Sequence, residues 1–172
     1  MIDASKMTFE EWKKAKREEE QKITRGAEVV PYKTDSGLYQ LEGAILQVCF
    51  HDKLFFHNLY FIPPDLDHGQ RGIYGYKRIM ISKPYYQAHG LDDDIINTMF
   101  HECVHAWDAI KGKQDTDGKF SGTQYHNEQF KETCELFGGC ADYRDAAAGY
   151  ADARLTDATM QKVKRKLKQW TA

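Results

Sequence analysis

The stretch "LDDDIINTMFHECVHAWDAIKG", residues 91–112, constrains the fold more than any other. An aspartate among residues 92–94 supplies an N-cap, and acidic side chains there suit the positive end of a helix dipole. Gly112 sits where a helix turns off its axis. Ile96, Met99, Phe100, Cys103, Trp107 and Ile110 recur at helical spacing and predict a core-facing stripe. Thr98, His101, His105 and Asp108 share the opposite side. The segment therefore predicts one long helix with two histidines pointing away from the stripe that anchors it.

His101 and His105 are one turn apart, separated by about 6 Å of rise and about 40° of rotation. Both imidazoles can reach a single tetrahedral ion at about 2.0–2.1 Å. Glu102 leans beside such an ion rather than onto it, where it can take a proton from water. Catalytic zinc usually takes three protein ligands and keeps one open position, so a third donor is needed. His51, His57 and His68 fall in or between expected strands, and His89 lies in a loop. His126 opens the segment "HNEQF", after a glycine-containing loop long enough to turn the chain back. Phe130, four residues on, seats that helix in the core. His126 is the favoured third ligand, at the first turn of the helix, and Glu128 is the alternative.

The rest of the chain frames this helix. Its 172 residues suit one domain, and 41% hydrophobic with 29% charged residues is a globular composition. Residues 8–24 predict a surface helix, with Thr8 and Glu11 as a capping box. "LYQLEGAILQVCF", "KLFFHNLYFI" and "GYKRIMIS" are rich in aromatic and branched residues and predict three strands, antiparallel in the simplest arrangement. The strand over 76–82 offers either a free edge for an extended peptide or an interior position with none. Residues 126–137 predict a helix ended by Gly138 and Gly139. Residues 156–170 predict a last, basic helix. The expected class is α+β: a small antiparallel or mixed three-stranded sheet on the HExxH helix, with additional helices at both ends.

A net charge of -2 excludes a global pull toward nucleic acid or membrane, so any such partner must meet a local patch. Lys162, Lys164, Arg165, Lys166 and Lys168 on the last helix are that patch for DNA. No apolar run reaches membrane-span length, and the charged N-terminal residues lack the apolar core of a secretory signal. These features predict a cytoplasmic location. Cys49, Cys103, Cys134 and Cys140 read as reduced thiols, since a chain of this size folds without staples.

"TMFHECVHAWDAI", preceded by "GYKRIMIS" and followed by "YHNEQFKETCELFG", resembles the SprT-like zinc metallopeptidase domain over roughly residues 38–138. The resemblance implies a zincin-like fold, a Zn²⁺ cofactor held by His101, His105 and His126, and Glu102 as catalytic residue. It also implies peptide or protein substrates, including proteins on DNA. Asn127 stands where that family often has glycine. The paired CxxC motifs of the zinc ribbon found in many members are missing from the chain. The expected chemistry is peptide hydrolysis by activated water, with Tyr125 or Tyr143 as second stabiliser of the developing oxyanion. The competing readings are a non-catalytic zinc-containing module that binds DNA or protein, and a metal-dependent hydrolase of a small molecule.

Overall fold

The computed structural model describes residues 28–30, 36–54, 57, 59–63, 69, 71–75, 78–113, 115–117 and 125–171. The helix expected over residues 8–24 lies outside them. The architecture is α+β, with a sheet in the order β1-β2-β4-β3 and two two-stranded ribbons. In the first sheet β1 (Glu28–Val29) pairs antiparallel with β2 (Leu59–Phe61). β2 runs parallel to β4 (Arg78–Ile81), and β4 is antiparallel to β3 (Gly72–Gly75). The sheet is therefore mixed and has four strands rather than three.

The first expected strand is a helix. Residues Ser36–Val48 form α1. Leu38, Leu41, Glu42, Ile45 and Cys49 are buried at the three- and four-residue spacing of one helix face, and residues 43, 44 and 46 are buried as well. Glu42 sits inside that stripe, fully buried. Its Oε1 accepts from the His57 backbone N–H and lies 2.8 Å from His57 Nδ1, which ties α1 to the segment before β2. The expected strand over 76–82 is present as β4, but β2 and β3 flank it, so it has no free edge. The end strands are β1 and β3, and β3 is the one beside β4.

A short helix, α2 (Lys83–His89), leads into α3 (Asp93–Ile110), the HExxH helix. Asp92 caps it by accepting from the Ile95 N–H at 2.8 Å. Gly112, at φ +66, makes the left-handed exit. Around α3 pack α1, β3, β4, α4 (Glu128–Leu136) and β8 (Asp152–Leu155). The expected polar side is consequently not a solvent face. Glu102, His105 and Asp108 are buried together with Ile96, Met99, Phe100 and Cys103, whereas Trp107 is half-buried and Ile110, expected in the core-facing stripe, is exposed at the end of the helix. Thr133 on α4 donates to Asp108 at 2.8 Å, which satisfies one oxygen of that carboxylate. Burial pushes the Asp108 carboxyl up to about 6, against the pull of the Thr133 hydroxyl.

After α3 the chain forms a ribbon of β5 (Thr116–Asp117) and β6 (Tyr125–His126), then α4. β7 (Gly139–Asp142) and β8 form the second ribbon, and α5 (Asp157–Thr171) closes the chain. α5 lays Met160, Val163 and Leu167 into the core beside α1. All four cysteines are free thiols. Among the described residues, no helix is long and apolar enough to cross a membrane.

Candidate metal centre

Three imidazoles meet where α3, β6 and α4 converge. His105 Nε2 lies 3.1 Å from His101 Nε2 and 3.1 Å from His126 Nε2. One nitrogen from each ring falls within 4.8 Å of the others, the single such cluster of metal-ligating side chains among the described residues. Ligands about 2.05 Å from a tetrahedral ion stand about 3.3 Å apart, so these spacings fit a shared ion. The proton inventory points the same way. Asp115 Oδ2 lies 2.5 Å from His105 Nδ1 and holds a proton there. The Nε2 of His105 is then a lone pair, and it faces two other ring nitrogens at once. A cation at the common focus satisfies all three, which hydrogen bonds alone cannot.

Local structure explains how the third histidine arrives. His126 is not in the first turn of α4 but on β6, one residue before the cap. Asn127 is the cap, accepting from the N–H groups of Gln129 and Phe130 at 3.0 and 3.3 Å. His126 is clamped in place by the loop that follows β7. Its N–H donates to Ala148 O, and its carbonyl accepts from the Tyr150 N–H, each at 3.0 Å. Gly149 lies so close to the His126 carbonyl that an added Cβ would stand 2.1 Å away. Asp145 shapes this loop by accepting from the N–H groups of Ala147 and Ala148, both at 2.8 Å. Beneath the cluster, the buried Phe130 ring takes all three imidazoles at centroid distances of 4.8, 4.8 and 4.3 Å.

Electrostatics separates the three rings. Burial first, and the neighbouring histidines second, hold His101 well below the usual imidazole range. Burial and His105 lower His126 to about 4. Burial opposes protonation of His105 as well, but the Asp115 bond with the Glu102, Asp115 and Asp108 charges outweighs it, and His105 is raised. His101 and His126 are thus neutral, as metal ligands must be, while Asp115 makes His105 the most basic of the three. Asp115 is the site residue that sequence reasoning missed. It lies in the loop read only as polar, and its position follows from the β5–β6 pairing, which also places Asp115 O 3.0 Å from the Asn127 N–H.

Glu102 is buried beside the cluster and outside it. Burial pushes its carboxyl up to about 7, with His105 and the Tyr74 backbone N–H pulling the other way. β3 crosses directly over it: a Cβ on Gly72 would stand 2.5 Å from Thr98 Cγ2 and 2.9 Å from Glu102 Oε1. Only glycine lets the strand approach this closely. His101 and Glu102 open onto a cleft of about 600 Å³, lined also by Gly72, Thr98 and residues 151–154.

The other expected residues lie as follows. Glu128 is exposed and bonded to Lys131 at 2.8 Å, apart from the imidazoles. Tyr125 is half-buried on β6, next to His126. Tyr143 is 55% exposed with its ring edge-on to Tyr150, and neither tyrosine is among the cleft-lining residues. No family model matches the chain, and comparison with curated proteins and with solved structures returned no significant match.

Proposed function

We propose that this chain is a zinc-dependent metallopeptidase of zincin-like architecture, with His101, His105 and His126 holding the metal and Glu102 acting as general base. The observation that carries the reading is the pairing of the three-imidazole focus with a buried carboxyl that is not one of its ligands. A purely structural site has no use for such a carboxyl, whose burial is costly. Three protein ligands rather than four are the count that catalytic rather than structural zinc would have. When bound, zinc lowers the pKa of water and polarises a carbonyl.

The chain's own groups do the rest. Glu102 Oε1 and Oε2 receive a proton from the attacking water and return it to the leaving amine. A carboxyl raised by burial holds that proton far better than an exposed one. The Tyr74 N–H fixes which way the carboxylate faces. Asp115 keeps the proton of His105 on Nδ1 and so keeps its Nε2 available as a ligand. The outer edge of β3, passing over Glu102 at Gly72, is where an extended peptide backbone would pair. Tyr125, next to His126, or Tyr143 is the proposed oxyanion stabiliser, although neither lines the cleft.

The proposal extends to DNA-associated proteins through α5. Lys162, Arg165 and Lys168 are exposed there, while Lys164 pairs with Asp93 at 2.5 Å and Lys166 lies over Trp170. Three exposed cations on one helix suit a sequence-independent phosphate contact. An open cleft accommodates a polypeptide better than it encloses a small molecule.

The test is Glu102→Gln. Zinc content should stay at the wild-type level while cleavage of casein or histone falls by roughly 10²-fold or more. Cleavage that survives the substitution removes Glu102 from the mechanism. A wild-type protein that holds zinc and cleaves nothing, with or without single-stranded DNA, favours the non-catalytic binding module instead.

A further inference from the structure

The cleft beside the metal centre is bounded by two strands whose outer edges have no partner strand among the described residues. β3 ends its sheet, and β8 is one of only two strands in its ribbon. Register fixes which backbone groups each edge presents. On the β3 side, the Ser82 N–H donates to Arg71 O at 2.9 Å, so residues 71 and 82 stand opposite each other at a hydrogen-bonded position of the ladder. Antiparallel pairs alternate, so Gly72 and Tyr74 turn their N–H and C=O outward. The Tyr74 N–H, reaching Glu102, agrees with this. On the β8 side, the Thr156 N–H donates to Gly138 O at 3.1 Å, while the Leu155 N–H leaves the ribbon for Asn97 Oδ1 at 2.9 Å. Ala153, two residues earlier, turns its N–H and C=O the same way as Leu155. Gly72 and Ala153 both line the cleft, together with Thr98, His101 and Glu102 of α3.

The charges at the rim cancel one another. Arg71 pairs with Asp94 at 2.8 Å, Arg144 with Asp152 at 2.9 Å, and Arg154 with Asp142 at 2.5 Å. No free charge remains among these pairs to select an acidic or a basic side chain. What the cleft offers is main-chain donors and acceptors on two walls.

We propose that Ala153 of β8 is a second backbone-binding edge, so that an extended polypeptide lies in the cleft hydrogen-bonded on both sides, to Gly72 and to Ala153. The inference rests on the peptidase reading and names its substrate class: unfolded or locally extended chain, recognised through its backbone. Folded proteins rarely expose a strand free on both edges, so they are excluded.

The experiment measures binding of a fluorescein-labelled, unstructured decapeptide and of its single N-methylated versions, by anisotropy. The protein is the full zinc-loaded chain carrying Glu102→Gln, so that peptide stays uncut. Successive amides of an extended strand point to opposite sides. Binding on two edges predicts that N-methylation at neighbouring positions weakens affinity alike, each by roughly tenfold for one lost hydrogen bond. Ala153→Pro, which removes one N–H that the ribbon does not use, should weaken binding of the parent peptide about as much, and Ala153→Gly should not. Sensitivity at every second amide only, or no binding at all, overturns the proposal. So does a folded Ala153→Pro protein with unchanged affinity. If Ala153→Pro fails to fold, the N-methyl series decides by itself. Two-edge binding in a chain that never cleaves peptides would sink the peptidase reading and leave the second edge standing.

Discussion

Asp115 Oδ2 lies 2.5 Å from Nδ1 of His105, on the far side of that ring from the nitrogen that faces His101 and His126. The carboxylate fixes the tautomer and the tilt of the middle ligand and raises its basicity. Asp115→Asn keeps the shape and loses the charge. It should weaken zinc affinity about 10- to 100-fold with the fold intact, as read by chelator competition. Unchanged affinity would mean that Asp115 is a bystander.

Glu102 makes the stability of the chelator-treated protein depend on pH. Its folded pKa is raised to about 7 from 4.5. A raised acid contributes stability that is full below the unfolded value and is lost as pH rises through the folded one. Glu102→Gln has no charge to bury, so above pH 7 it should be more stable than wild type by up to about 3 kcal/mol and melt at a higher temperature. The two should converge toward pH 4.5. His126 acts in the opposite sense, since its pKa is lowered to about 4 from 6.5. Its contribution is present above pH 6.5 and lost as pH falls toward 4, in both proteins alike. Thermal melts across pH 4 to 9 separate the two effects.

Gly149 has φ +64 and leaves no room for a side chain against the His126 carbonyl. Gly149→Ala must push the loop off β6 and carry the third ligand with it. Zinc affinity should fall more steeply than thermal stability does. A neighbouring control, Ala147→Gly, should change zinc affinity little, because the Ala147 N–H that bonds Asp145 is retained. Isothermal titration with zinc on both variants checks the pair.

What could be read from the sequence was what is local. α3, its Asp92 cap, its Gly112 exit, the one-turn spacing of His101 and His105, and the anchoring of α4 by Phe130 all depend on residues a few positions apart. α5 was legible for the same reason. α1 was misread because its Leu, Ile and Val residues, with Tyr39 and the following Phe50, look like a strand's and because Glu42 interrupts its stripe. That carboxylate is buried only because His57, fifteen residues later, meets it. β3 was hidden among glycines that signal turns; here Gly72 is demanded instead by the approach to Glu102. The side of α3 carrying His105 and Asp108 looked like a polar surface, since its cover comes from Thr133 and Phe130 on a distant helix. Asp115 and the loop over 145–150 serve the site through long-range pairing, which no short pattern in the chain announces.

A shared ion held by His101, His105 and His126 is tested most directly by zinc stoichiometry and affinity. Wild-type protein should bind one zinc per chain. His126→Ala should lose most of that affinity while keeping its helical circular dichroism. A His126→Ala protein that binds zinc as tightly as wild type, or a folded wild-type chain that binds none, contradicts the account.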